Sequence, residues 1–370
     1  MDASYALSAP EDLLSPSLLI YKDLVVRNLK AMVDIAGAAG RLRPHVKTHK
    51  MAAIVRMEAE LGITRHKCAT IAEAEMLAAA GARDVLLAYP LVGPNLHRLA
   101  RLVREYRFTT FRVVVDHPDS ARALSQALEK AERPVPVLLD LDVGMGRTGI
   151  DPGDAAANLY ALVAELPGLE LDGLHAYDGQ INDTDLDARR RAVGRTHELT
   201  LGLRDRLVRD GLPVPRLVLG GTPSFPMHTA LDEPGVECSP GTIVLHDFTY
   251  ATRYPDLPFV PAALLLTRVV SVPRPGRLCL DLGHKAVAAD PAGPRVHLID
   301  LPEPKFVGHS EEHLVVETPA AGRYPVGSWL LGIPAHICPT CALHRRAYVI
   351  ASGRLVDEWD VTARDRVIGL

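Results

Sequence analysis

The hydrophobic positions of the chain change period twice, and those changes divide it into three stretches. Residues 17–21 (Ser-Leu-Leu-Ile-Tyr) form a short apolar run that predicts a strand. Asp23 follows as an expected N-cap, with Leu24, Val25, Leu29, Met32, Val33 and Ile35 at helical spacing behind it. From Leu42 onward, short apolar runs alternate with helical ones. Strands are expected at 42–47, 67–70, 85–89, 111–116, 135–142, 169–177, 216–221 and 236–239. Helices are expected at 49–61, 71–80, 95–106, 120–131, 155–166 and 185–209. Such β/α alternation predicts a parallel sheet, and eight units in about 200 residues favour an α/β fold closed as a (β/α)8 barrel over an open doubly wound sheet. After Tyr250 the helical period disappears. β-branched runs at 263–272, 277–282, 296–298, 313–317, 328–333 and 346–350 alternate with Pro and Gly and predict a β-rich domain. The expected organisation is a barrel over 22–248 and a β-rich domain over 249–370, joined by the N-terminal strand within 1–21.

Composition narrows the function classes. The 370 residues suit one large domain plus a smaller one, and 48% hydrophobic with 23% charged residues is an ordinary globular balance. A net charge of -4 with scattered Lys and Arg argues against nucleic acid as a partner. The N-terminal residues lack a basic stretch followed by an apolar one, so no secretory signal is expected, and no apolar run is long enough to span a bilayer. Five cysteines, at 68, 238, 279, 338 and 341, form no disulfide framework and fit a reducing, cytoplasmic compartment.

In a barrel, chemistry sits at the C-terminal ends of the strands. Lys47 ends the first strand within Arg43-Pro44-His45-Val46-Lys47-Thr48-His49-Lys50. A lysine crowded by positive groups can have its pKa lowered enough to attack a carbonyl, which makes Lys47 a candidate Schiff-base lysine. Gly220-Gly221-Thr222-Pro223-Ser224 and Ser239-Pro240-Gly241-Thr242 end the seventh and eighth strands. Their backbone N–H groups and hydroxyls can cradle a phosphate, although each is also a common turn sequence. With Lys47 they suggest pyridoxal phosphate. The loop from Asp142 to Gly149 presents Arg147, either to the phenolic oxygen of such a cofactor or simply to solvent from a tight turn. His175 and Tyr177 share one face at a strand end, where either can pack on the cofactor, transfer a proton or serve structure alone. In the β-rich part, His336-Ile337-Cys338 in extended chain points imidazole and thiol the same way, so the two can clasp one metal, although His-x-Cys on its own is also a common sequence with no ligand role. That borderline-soft pair favours zinc, with manganese or magnesium as alternatives. The cluster 310–313 reads as a solvated turn, and Asp281 with Lys285 as a structural ion pair.

Arg-Pro-His-x-Lys-Thr-His-Lys, Asp-x-Gly-x-x-Arg-x-Gly, His-x-Tyr-x-Gly, Gly-Gly-Thr-Pro and Pro-Gly-Thr follow one another along the chain. In these motifs and the His-x-Cys pair the sequence resembles the D-threonine aldolase and D-serine dehydratase family, fold type III pyridoxal-phosphate enzymes that share their barrel with alanine racemase. The resemblance implies an alanine racemase-like barrel, a C-terminal β domain and an active site between them, commonly completed in a homodimer. It implies that Lys47 carries the cofactor, with His45 of the same motif beside it. It places Arg147 at the phenolic oxygen, Tyr177 beside the ring, and Gly221, Thr222, Gly241 and Thr242 at the phosphate, with His336 and Cys338 on a divalent metal. Aldolase members of the family tend to carry His-x-Asp and dehydratase members His-x-Cys with zinc. The implied activity is therefore a lyase acting on β-hydroxy-D-amino acids, leaning to dehydration and deamination to a keto acid and ammonia. Retro-aldol cleavage to glycine and an aldehyde is the alternative. Racemisation, which needs no metal, and non-catalytic cofactor binding rank lower.

Overall fold

The chain opens with strand β1 (Ser17–Tyr21), which runs straight into helix α1 (Lys22–Ala36). In this computed structural model, which describes residues 5–370, Asp23 lies inside the first turn of α1. Its carboxylate accepts from Ser352 N (2.8 Å) instead of capping its own helix, because the strand leaves no room for a separate cap residue. Residues 1–4, at the head of the stretch read as free of a signal, lie outside the described residues.

Two units follow from the packing. One comprises Met32–Lys47, Ala52–Gly241 and Asp365–Leu370; the other comprises the chain up to Ala31, Thr48–Met51 and Thr242–Arg364. The first holds seven parallel strands in sequence order: β2 (Arg65–Cys68), β3 (Asp84–Leu87), β4 (Thr110–Val115), β5 (Val135–Leu141), β6 (Leu169–Ala176), β7 (Leu217–Leu219) and β8 (Val236–Cys238). The eighth member is the segment 42–46, which reaches both sheet edges: Leu42 bridges Cys238 of β8, and His45 bridges Lys67 of β2. Arg43 N donates to Cys238 O and His45 N to Pro240 O (both 2.8 Å). On the other side, Val46 N donates to Lys67 O (2.9 Å) and Lys67 N to Pro44 O (2.8 Å). The sheet thereby closes as the alternation predicts. Pro44 has no N–H, so this strand is a pair of bridges and not a continuous ladder. Helices α2 (Ala52–Glu60), α3 (Ile71–Ala79), α4 (Pro94–Glu105), α5 (Pro118–Leu128), α6 (Asp154–Glu165) and α7 (Leu186–Arg209) fill the crossovers, and short α8 (Phe225–Thr229) follows β7.

Period-two alternation decides what fills the curl. Nearest the strand starts lie charges. Arg43 pairs with Glu237 (2.5 Å) and Asp84 (2.7 Å), Arg112 with Asp84 (2.9 Å) and Asp172 (2.6 Å), and Arg216 with Asp172 (3.0 Å) and Glu237. Two residues further along their strands, Leu86, Val114 and Val218 meet Leu138 in an apolar layer. One more step on the same face brings Asp140, facing Lys67 and His175. The interior is stacked in layers, as in a filled barrel.

The second unit is built on a mixed sheet. Its strands are β9 (Ala263–Arg274), β10 (Arg277–Leu280), β11 (Val296–Leu298), β12 (Lys305–His309), β13 (Leu314–Glu317), β14 (Trp329–Pro334), β15 (Arg346–Ala351) and β16 (Arg354–Asp360), with β1 inserted parallel to β15 and antiparallel to β9. Leu19, Tyr21, Leu264, Leu266, Leu331, Ile333 and Ile350 form its core. Helices α9 (Phe248–Arg253) and α10 (Ile337–Leu343) complete it. The sequence gives no sign of β12 or β16, and the order β12-β13-β10-β9-β1-β15-β16 explains why: they are the two ends of the path. Edge strands are half solvated and need no apolar alternation. The expected Asp281–Lys285 ion pair is not formed. Asp281 accepts from Thr267 Oγ1 (2.7 Å) and Ser15 Oγ (2.5 Å), while Lys285 pairs with Glu311 (2.7 Å) and Glu312 (3.1 Å) of the solvated turn. All five cysteines are free, and among the described residues no helix is long and apolar enough to cross a membrane.

Candidate active site

Three cations converge on one aromatic ring in the barrel unit. Arg147 Cζ lies 4.9 Å from the Tyr177 ring centroid, Lys47 Nζ 5.5 Å and Lys67 Nζ 5.8 Å. Tyr177 directly follows β6, on the face it shares with His175. Arg147 is presented by a loop with its own internal scaffold. The Asp142 carboxylate accepts from Gly146 N (3.0 Å) and Gly144 N (2.9 Å), and Gly149 N donates to Asp116 Oδ2 (3.0 Å). The hydrogen bond from Gly146, ahead of those from Gly144 and Met145, holds Asp142 below the usual carboxylate range. Gly149 has φ +100, with the Leu141 and Asp142 backbone where a side chain would go.

The lysine motif is arranged differently from the crowding expected around Lys47. Arg43 points back to Asp84 and Glu237, and His45 Nδ1 accepts from Lys47 N (3.3 Å), fixing the turn. The amine added to this ring comes instead from β2. Lys67 is almost fully enclosed, and its Nζ lies 3.4 Å from His175 Nε2, whose Nδ1 is 2.6 Å from Asp140 Oδ1. Burial first, then the charge of Lys47, push Lys67 down to about 7, and burial lowers His175 as well. Sequence reasoning passed over both Lys67 and Asp140. Their signal was a charged residue within a strand whose both faces are covered, which costs free energy unless it is used.

The two glycine turns meet. Thr222 Oγ1 accepts from Gly241 N (3.4 Å), and Gly221 N donates to Ser224 Oγ (3.1 Å). Ser224 Oγ donates in turn to Asp178 Oδ1 (2.8 Å), whose Oδ2 accepts from His228 Nε2 (2.8 Å), with His197 Nε2 2.8 Å from His228 Nδ1. This buried Asp–Ser–His support also escaped the sequence reading. A Cβ on Gly221 would stand 3.1 Å from the Tyr177 ring, so glycine is what lets the turn approach it. Thr242 opens a turn in the other unit, and its hydroxyl faces Cys338 Sγ at 3.5 Å.

The His336–Cys338 pair is not in extended chain. His336 is the N-cap residue of α10, and Cys338 is the second residue of that helix. Cys338 Sγ lies 3.1 Å from Thr48 Oγ1, and His336 Nδ1 is 2.5 Å from Asp290 Oδ2. Burial raises the Cys338 thiol, but hydrogen bonds from His336, Thr242 and Thr48 outweigh it and leave the thiol below its ordinary value. Burial likewise opposes charge on His336, yet Cys338 and Asp290 hold it up at about 9. The two side chains thus stabilise each other as thiolate and imidazolium; once the imidazolium gives up its proton, thiolate and imidazole are a borderline-soft donor pair. Among the described residues no group of three or more His, Cys, Asp or Glu is placed to hold a metal ion.

Comparison with known proteins bears on this arrangement. Residues 20–244 match the family described as "Alanine racemase, N-terminal domain", and residues 262–350 match "Putative serine dehydratase domain". The chain is 30% identical to a D-threonine aldolase of Arthrobacter over 95% of its length and 92% of that protein's. It is 26% identical to a D-threo-3-hydroxyaspartate dehydratase of Delftia, covering 94% of this chain and 96% of that one. The crystal structure of a D-threonine aldolase from Filomicrobium marinum superimposes with a TM-score of 0.88 at 30% identity, over 98% of this chain and 99% of that one.

Proposed function

Since the chain belongs to the D-threonine aldolase and serine dehydratase family built on the alanine racemase barrel, we propose that it is a pyridoxal-phosphate- and metal-dependent lyase that dehydrates β-hydroxy-D-amino acids to a keto acid and ammonia. The observation that carries this reading is the convergence of Lys47, Lys67 and Arg147 on the Tyr177 ring, beside two abutting glycine turns. Neither Lys47 nor Arg147 forms an ion pair among the described residues, so their charge is available to an anionic, planar group. That donor set fits the cofactor. Pyridoxal phosphate, when bound, supplies a carbonyl for an amine and a ring that accepts an electron pair released at the substrate Cα.

The side chains then have distinct tasks. Lys47 Nζ would be the amine that holds the cofactor and, as a neutral amine, the base for the Cα proton. Tyr177 would pack beside the cofactor ring and Arg147, 4.9 Å from the Tyr177 ring centroid, would bind its phenolic oxygen, while His45 fixes the turn that carries Lys47. Gly221, Thr222, Gly241 and Thr242 would hold the phosphate through backbone N–H groups and hydroxyls. His336 and Cys338 would hold zinc, whose Lewis acidity favours departure of the β-hydroxyl. Retro-aldol cleavage is the second reading, supported by the higher identity to the D-threonine aldolase (30%) than to the dehydratase (26%).

Incubation with D-serine and D-threonine, with and without chelator, separates these readings. Keto acid and ammonia support dehydration. Glycine and an aldehyde mean retro-aldol cleavage, and inversion insensitive to chelator means racemisation. Lys47→Ala should abolish the visible absorbance of the protein–cofactor link; a retained band would overturn the central assignment.

A further inference from the structure

Lys67 has no task in the function just described, yet it is the most enclosed of the three cations, with 2% exposure. A methionine of similar length would serve packing on the inward face of β2. What distinguishes the lysine is its surroundings. Its Nζ is 3.4 Å from His175 Nε2, and His175 Nδ1 is held by Asp140, so Nε2 presents a lone pair and Lys67 donates to it. The same Nζ lies 5.8 Å from the Tyr177 ring that Lys47 and Arg147 also approach. The charged groups that face it are Lys47 and Arg43, which disfavour its ammonium form, and Asp140 and Asp178, which favour it. Burial and Lys47 prevail and leave it at about 7. An amine balanced in this way is tipped to its charged form by any anion brought close in a low-dielectric site.

Building on the cofactor reading above, we propose that Lys67 is a proton-accepting anchor for the anionic cofactor, aimed by the Asp140–His175 pair. When pyridoxal phosphate occupies the Tyr177 site, the Lys67 amine takes one proton from solvent and becomes an ammonium that faces the bound anion together with Arg147. No other bond changes. Lys67 thus makes cofactor affinity depend on pH in a way that a fixed charge would not.

The test is calorimetric titration of the cofactor-free protein with pyridoxal phosphate at pH 8, in two buffers of different ionisation enthalpy, which counts the protons taken up. The unsubstituted protein should take up close to one proton more than Lys67→Met. Lys67→Met should bind the cofactor roughly tenfold or more weakly, through loss of a charge-assisted hydrogen bond. Lys67→Arg, charged throughout, should keep most of the affinity while taking up no extra proton. If all three proteins form the visible absorbance band and take up equal numbers of protons, Lys67 is not the anchor. If Lys67→Met fails to fold, the comparison with Lys67→Arg decides alone. If the unsubstituted protein forms no band, the cofactor reading itself fails and the anchor with it.

Discussion

Asp178 Oδ2 accepts a hydrogen bond from His228 Nε2 at 2.8 Å, and both side chains are buried beneath the glycine turn that ends β7. The other oxygen of Asp178 holds Ser224, which holds Gly221 N, so one carboxylate supports the turn assigned to the phosphate. Asp178→Ala leaves a buried imidazole and a hydroxyl without their acceptor and should cost about 3 kcal/mol, read by urea unfolding. Pyridoxal phosphate affinity should fall with it. Burial opposes ionisation of Asp178, but His228 and Ser224 prevail and hold its pKa below the usual value. Its contribution to stability is therefore present above about pH 4 and lost as pH falls through the lowered value; Asp178→Ala should lack that acid dependence.

The charged layer at the strand starts makes a second prediction. Burial raises Asp84, but Arg43 and then Arg112 outweigh it and hold the carboxyl far below its ordinary range. Arg43→Met leaves Asp84 and Glu237 short of a partner inside the barrel and should cost about 3–5 kcal/mol at pH 7 in urea unfolding. A depressed carboxyl stabilises the fold above its unfolded pKa and loses that contribution on protonation. The stability difference between the unsubstituted protein and Arg43→Met should therefore narrow between about pH 5 and pH 2. A constant gap would show that Arg43 acts through packing alone.

The barrel was legible in the sequence because most of its strands carry a short apolar core, such as Val-Leu-Leu in β3, Val-Val-Val in β4 and Leu-Val-Leu in β7, at regular spacing between helical stretches. The convergence on Tyr177 was legible in part, because Lys47, Arg147 and the glycine turn that abuts Tyr177 lie at or just past strand ends, where the sequence departs from the apolar pattern. It was not legible at Lys67 and Asp140, which lie within strands and acquire their meaning only when β2, β5 and β6 bring them to His175. Asp178, Ser224 and His228 escaped for the same reason, since their contacts span up to 50 positions of chain. His336 and Cys338 were identified correctly as near neighbours but on a mistaken backbone, because a helix begins between them.

Gly149 gives a third prediction, about the loop that presents Arg147. At φ +100, a Cβ would stand 2.6 Å from the Leu141 carbonyl carbon and 2.5 Å from Asp142 N. Both are backbone atoms and cannot swing aside. Gly149→Ala must move the loop, breaking the Gly149 N–Asp116 bond and displacing Arg147 from the Tyr177 ring. Strain of this kind costs about 1–3 kcal/mol. Thermal unfolding should register a lower midpoint, and cofactor affinity should fall more than it does for Gly153→Ala, where no atom stands within 4 Å of the new Cβ.

The last prediction concerns the metal-ligand role proposed for Cys338. Its sulfur lies 3.1 Å from Thr48 Oγ1 and 3.5 Å from Thr242 Oγ1, so two hydroxyls from outside α10 can already hydrogen-bond an anionic atom at this position. Cys338→Asp exchanges a thiolate for a carboxylate that those hydroxyls can also satisfy, and the fold should tolerate it. Thiolate favours zinc, whereas carboxylate oxygen suits manganese and magnesium. After chelation, the unsubstituted protein should recover its lyase activity best with zinc. Cys338→Asp should recover it best with manganese or magnesium, at a cost of roughly tenfold or more in zinc affinity. Equal recovery of both proteins with every metal would show that residue 338 is not a ligand. The product ratio from D-threonine should be read in the same reconstitution. A shift toward glycine and aldehyde would place the choice between the two reactions at the metal. An unchanged ratio would place it with the groups that move protons in the barrel.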